Sequence, residues 1–345
     1  MDLTIAAILG LDGLTNGAIY ALVALALVLV FSVTRVIFIP QGEFVAFGAL
    51  TLASLQLGKV PGTVWLLLMM AVVAAVLDLI QGLRERWRAS RIFFSLLQTL
   101  SFPCVIAALA PMFVQQQHAL IVQVLVTLVI VTSMGPLLYR LAYRALSGAS
   151  VLTLLIVSVG VHFALTGIGL VFFGAEGYRT PAFWDARFDV GPLSFTGQTL
   201  IIFGASIVLL IAMAVFFERT LMGKALRATS VNRTGARLMG ISGDTAGSLS
   251  FTMAAFIGAL SGLLISPSTT IYYDTGFLIG LKGFVAAVFG GLASFPMALA
   301  GAIGIGLIES FGSFWASAFK EVIVFTVILP VLLWRSFVDP HHEEH

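Results

Sequence analysis

RTLMGKALRATSVNRTGARLMGIS, residues 219–242, packs Arg219, Lys224, Arg227, Arg233 and Arg237 into a chain with little charge elsewhere. The stretch contains no proline, and its apolar positions recur at helical spacing: Leu221, Ala225 and Leu226, then Ala236, Leu238 and Met239. Asn232 or Thr234 can cap a second short helix, and Gly240 is placed to end it. Two short amphipathic helices lying across a membrane face are therefore expected. The rest of the composition supplies the membrane. Of 345 residues, 59% are hydrophobic and 10% charged, against roughly 25% charged in soluble domains. No soluble fold of this length can hide so much apolar surface.

Working outward, spans of about 20 apolar residues are sought, because lipid offers the backbone no hydrogen-bonding partners. Eleven runs stand out: about 12–31, 41–57, 63–83, 92–113, 119–138, 149–173, 196–217, 247–266, 279–293, 296–314 and 319–335. The expected fold is all-α, a polytopic bundle of about eleven spans. The runs 41–57 and 279–293 are short enough to be broken, tilted or re-entrant. Placing residues 219–242 in the cytoplasm and alternating sides puts 13 of the 18 Lys and Arg residues inside, including Arg35, Arg84, Arg86, Arg88, Arg91, Arg140, Arg144 and Arg335. Lys59, Arg179, Arg187, Lys282 and Lys320 are left outside. The N-terminus is then outside and the C-terminus inside. Met1-Asp2-Leu3 lacks the basic start of a cleaved signal, so the first run is expected to stay as an anchor.

Several function classes are excluded. A net charge of +2, with no basic patch among aromatics, argues against nucleic acid. One cysteine, Cys104, permits no intrachain disulfide or cysteine metal cluster. No GxxxxGK[ST] phosphate loop occurs, and neither a catalytic nor a metal-ligand constellation is found, so no cofactor is expected. Residues 174–195 mix both charge signs with Phe183 and Trp184 and read as an ordered cap at the outer interface.

Polar groups within spans mark candidate pathways. Glu43, beside Gly42 and after Gln41, either lines a passage or serves as a helix-end carboxylate. Thr15, Asn16 and Tyr20 share a face of the first span, and Asn16 either binds an amino acid's charged end or joins helices. Gly13-x-x-x-Gly17, Gly258-x-x-x-Gly262, Gly290, Gly291, Gly301, Gly304 and Gly306 read as packing positions. Asp78 is expected to be structural near Arg84, His162 to be a hydrogen-bonded packing residue, and Glu309 is ambiguous. The tail residues His341, His342 and His345 read as a solvated terminus. Composition leaves the basic loop open between a lipid-touching topology anchor, at about 1 kcal/mol per basic residue, and a docking surface.

The pattern T-L-M-G-K-A-L-R-A-T-S-x-N-R-x-G-A-R-L-M-G-I resembles the cytoplasmic coupling loop of bacterial branched-chain amino acid ABC-importer permeases. Residues 13–50 resemble that family's first hairpin, and residues 251–310 its C-terminal core. The family reads N-F-A-H-G-E where this chain has Phe38-Ile39-Pro40-Gln41-Gly42-Glu43, which leaves the substrate open. Residues 84–138 look like an inserted helical hairpin, dividing the chain into spans one to three (1–83), the insertion, middle spans (139–217), coupling loop (218–246), C-terminal spans (247–335) and a cytoplasmic tail (336–345). The resemblance implies a non-catalytic permease of a bacterial plasma (inner) membrane importer for branched-chain or other hydrophobic amino acids. It implies ATP bound only by partner ATP-binding subunits, a second related permease, an external (periplasmic or extracellular) solute-binding protein and contact with membrane lipid. Coupling residues are expected at Gly223, Lys224, Arg227, Ala228, Arg233, Arg237 and Gly240, and pathway residues at Thr15, Asn16, Tyr20, Gln41, Gly42 and Glu43. The alternatives are a related permease for urea, short amides or aromatic acids, or an ATP-independent secondary transporter.

Overall fold

The computed structural model describes residues 3–86, 88–115, 119–191 and 193–338; the histidine-bearing tail, residues 341–345, lies outside them. Helices occupy every apolar run: α1 (Leu3–Thr34), α2 (Gln41–Gln56), α3 (Gly62–Arg84), α4 (Ala89–Gln115), α5 (Leu120–Leu138), α6 (Val151–Phe173), α7 (Gly197–Arg219), α8 (Leu221–Val231), α9 (Arg233–Leu238), α10 (Gly243–Ile265), α11 (Thr275–Phe289), α12 (Phe295–Ala316), α13 (Lys320–Thr326) and α14 (Ile328–Val338). Among the described residues, eight segments rather than eleven are long and apolar enough to cross a bilayer. The difference has two sources. With 16 and 15 residues, α2 and α11 reach only about 24 and 22 Å, short of a hydrocarbon core of about 30 Å. At the other end, Phe295–Leu333 forms one apolar stretch that α12, α13 and α14 divide.

The short helices explain the architecture. Arg35 takes a left-handed conformation (φ 59°) and ends α1; Pro40, which has no backbone N–H, then precedes α2. Residues 35–40 turn back into the bundle, where Phe38 is fully buried against Phe44, Tyr143 and Phe251. Gln41 Nε2 donates to the carbonyl of Ala254 at 3.0 Å, halfway along α10, so α2 begins at mid-depth. The same construction recurs after α10. Residues 266–274 fold back, Tyr178 and Ile271 form a β-bridge, and α11 begins with Gly276 against Gly42. From this common level the two short helices run in opposite directions. α2 leads to Gly62 beside Phe172 at the end of α6, whereas α11 leads to Phe295, whose ring packs on Phe217 next to the basic loop. Two units of long helix, fold-back and half-helix, inverted with respect to each other, are a construction used where a site must lie at the membrane midplane.

Glycines permit this density. Gly13 and Gly17 of α1 lie on the backbone of α12 around Leu307 and Ile303, and Gly262 lies on the Val45 carbonyl, so these positions do serve packing. The centre of α1, from Ile19 to Val30, is buried throughout. By contrast, α4 packs mainly on α3 and leaves most of its surface open, including Cys104. The cap at the end opposite the basic loop contains a two-stranded antiparallel ribbon, β1 (Arg187–Val190) and β2 (Leu193–Thr196), the one departure from helix in the named elements. Its Phe188 meets Trp184 edge-on at 5.2 Å.

Candidate functional site

Three structures carry the polar chemistry of the bundle. The first is the basic loop, which forms the two expected helices. Thr220 caps α8 by accepting from the Gly223 N–H at 3.0 Å, and Asn232 caps α9 by accepting from the Gly235 N–H at 2.8 Å. Gly240 (φ 84°) closes α9 with Ile241 N–H donating to the Ala236 carbonyl. Leu226, Thr229 and Ala236 face the bundle, while Leu221, Val231, Leu238 and Met239 stand more than 80% exposed. Lys224, Arg227, Ala228 and Arg237 are exposed around these apolar knobs, and Gly223 is buried under the Phe216 carbonyl. Arg233 alone of the predicted coupling residues reaches inward with its side chain to bond the bundle. Its Nε and Nη2 donate to the Val33 carbonyl at 3.1 and 2.6 Å, capping the end of α1 where helical partners run out. Burial, then the nearby Arg35 and Arg237, lower the affinity of Arg233 for its proton.

The second structure is the seam where α2 and α11 meet. Gly42 rests on Gly276 and Gly280 with no space for a Cβ on either side. Glu43, in the first turn of α2, is 1% exposed, and its Oε1 pairs with His162 Nδ1 of α6 at 2.6 Å. The His162 ring stacks on Phe277 of α11 with centroids 4.6 Å apart. One histidine thus bridges three helices over a buried carboxyl. Gln41 leaves on the other side of α2 towards α10, so it is a strut and not part of the Glu43 environment.

The third is a buried ionic cluster. Lys282 of α11 pairs with Glu309 of α12 at 2.6 Å and Glu321 of α13 at 3.1 Å, while the Tyr20 hydroxyl donates to Glu309 at 2.5 Å. Charges enclosed this way are costly unless paired, and each here has its counter-charge. Glu309 also faces a recess of about 930 Å³ at the end opposite the basic loop, which Thr15, Asn16, Arg179 and Asp185 help to line. The Thr15 hydroxyl itself turns back to the Leu11 carbonyl.

A family model described as "Branched-chain amino acid transport system / permease component" matches residues 99–332, more than half of the chain. The chain belongs to this family. The permease is 25% identical over 338 residues to the high-affinity branched-chain amino acid transport system permease protein BraD of Pseudomonas aeruginosa, covering 94% of this chain and 92% of the relative. It is 29% identical over 213 residues to the corresponding protein LivH of Escherichia coli K12, covering 60% and 69%. A shorter likeness, 29% over 131 residues, links it to the autoinducer 2 import system permease protein LsrC of Yersinia enterocolitica, covering 38% and 34%. No solved structure matches. The permease is thus a multi-pass membrane component of a transport system.

Of the predicted pathway residues, Thr15, Asn16 and Tyr20 gather at the recess and ionic cluster, while Gly42 and Glu43 gather at the seam. Two expectations are corrected. Lys282, left outside in the tally of charges, is 5% exposed within α11, because carboxylates of α12 and α13 reach it there. Asp78 answers to Arg140, Ser95 and Thr99, and not to Arg84, because α3, α4 and α5 bring those groups together at its depth. Lys282 and Glu321 were missed as functional candidates. The available signal was a lysine inside the apolar run 279–293.

Proposed function

We propose that this permease is the membrane-spanning part of an ATP-driven importer for branched-chain and other hydrophobic amino acids. The observation that carries the reading is the basic loop: four apolar knobs, more than 80% exposed, within a basic rim, on a protein with no phosphate loop of its own. Such a face suits a soluble partner with acidic and apolar complement better than lipid alone. The ATP-binding subunits would dock there, which makes that face cytoplasmic, with the N-terminus outside and the C-terminus inside. Gly223, Lys224, Arg227, Ala228, Arg237 and Gly240 form or shape the contact, and Arg233 carries the motion to α1. An external solute-binding protein would meet the opposite end, around the ribbon and the recess. A second related permease would cover part of the exposed helix surface. ATP stays with the partner subunits, and this chain performs no catalysis of its own.

The substrate follows from the relatives' names and from an interior of apolar walls with few polar groups. Co-expression with the ATP-binding subunits tests the docking. Arg227→Glu, on an exposed position, is expected to abolish co-elution without altering thermal stability; an intact complex would remove the loop from the coupling role. A second reading, secondary transport without ATP, gains from two buried ionisable pairs, Lys282–Glu309 and Glu43–His162. Uptake by vesicles holding this chain and no ATPase decides for that alternative.

A further inference from the structure

The carboxyl of Glu43 is half satisfied. Oε1 is held by His162, whereas Oε2 is enclosed and has no hydrogen-bond partner. The Thr166 hydroxyl stands beside the pair, 3.5 Å from His162 Nδ1. A buried acceptor left without a partner is costly. We propose that Glu43 Oε2 receives the ammonium group of the transported amino acid, which makes the seam between the first turns of α2 and α11 a central substrate subsite. This rests on the amino-acid import reading above.

The surroundings suit the rest of such a molecule. An ammonium brings a positive charge and three donors to an oxygen that lacks both. The α2 and α11 N-termini bring positive dipole ends to the same level, which favours a carboxylate there. Phe277, with its ring 4.6 Å from that of His162, and the buried Phe47, one turn along α2 from Glu43, offer apolar faces to a branched side chain. The seam is also built to part. Gly42 meets Gly276 and Gly280 backbone to backbone, and only the small Ala46 side chain reaches Gly276 beside them. Withdrawal of α11 would carry Phe277 off His162 and uncover Oε2.

The test uses the permease with its ATP-binding subunits in nanodiscs and labelled L-leucine. Two competitors separate the ends of the ligand: isopentylamine keeps the amine alone, and 4-methylpentanoate keeps the acid alone. Isopentylamine is expected to compete better than 4-methylpentanoate. Glu43→Gln is expected to weaken leucine binding by roughly tenfold or more and to erase the amine preference, with the complex still co-eluting. Leucine binding unchanged in Glu43→Gln, or a wild-type preference for the acid, would overturn the subsite and leave Oε2 to an internal water. Should Glu43→Gln not assemble, His162→Gln supplies the second arm: it leaves the carboxylate in place and keeps the amine preference, and loss of that preference counts against the assignment. A wild-type complex that binds no leucine refutes the amino-acid reading and the subsite together.

Discussion

Replacing Arg233 by Met keeps most of the aliphatic stem and removes the two donors that hold the Val33 carbonyl. A charged donor contributes about 1.5–3 kcal/mol per hydrogen bond. Both bonds here share one oxygen, and the side chain is partly exposed, so about 1–2 kcal/mol is the reasonable total for the grip. That corresponds to a factor of about 5–30 in the equilibrium between a loop engaged with α1 and one moving freely. The consequence follows from connectivity. Val33 lies two residues before Arg35, where the chain leaves α1 for the buried link that ends at Gln41 and Glu43. A stroke entering α9 reaches the seam through that link only while the grip holds. In proteoliposomes with the ATP-binding subunits and binding protein, Arg233→Met is expected to preserve docking and ATP hydrolysis. Substrate taken up per ATP should drop about fivefold or more. Arg233→Lys, with one compact donor in place of the fork, should restore part of it. An unchanged ratio of uptake to hydrolysis in an intact Arg233→Met complex would refute the reasoning, because force would then enter elsewhere.

Gly42→Ala drives a methyl group into the Gly276 carbonyl, and the resulting overpacking should lower stability by about 1–3 kcal/mol; an unchanged thermal midpoint would mean that the seam is looser than described. Lys282→Met strands the buried Glu309 without its cation, while Glu321 keeps Lys320, and is expected to cost about 3–5 kcal/mol, with much of the loss recovered when Glu309→Gln is added. The contrasting pair, Arg144 with Asp244 at 2.9 Å, is about half exposed on both sides, so Arg144→Ala should change stability by at most about 1 kcal/mol. Equal effects of these two changes, measured by thermal unfolding in detergent, would show that burial does not govern the ionic cluster.

What could be read from the residues alone was local or solvent-driven. Lipid forces each crossing segment to satisfy its own backbone, so the apolar runs coincide with helices, and even the shortness of α2 and α11 was visible. Thr220 and Gly240 end their helices through neighbours a few residues away, and Asn232 was legible as a cap for the same reason. What tertiary structure decided was which distant polar groups meet. Glu43 and His162 are 119 positions apart, and Tyr20 and Glu309 are 289 apart. Helices that are apolar on every side carry almost no periodicity to say which face turns inward. Lys282 shows the limit most sharply: a tally of charges left it outside, whereas two carboxylates from other helices make its burial tolerable. Which side of each helix faces inward is a property of the packed bundle, because only packing brings the opposite charge within reach.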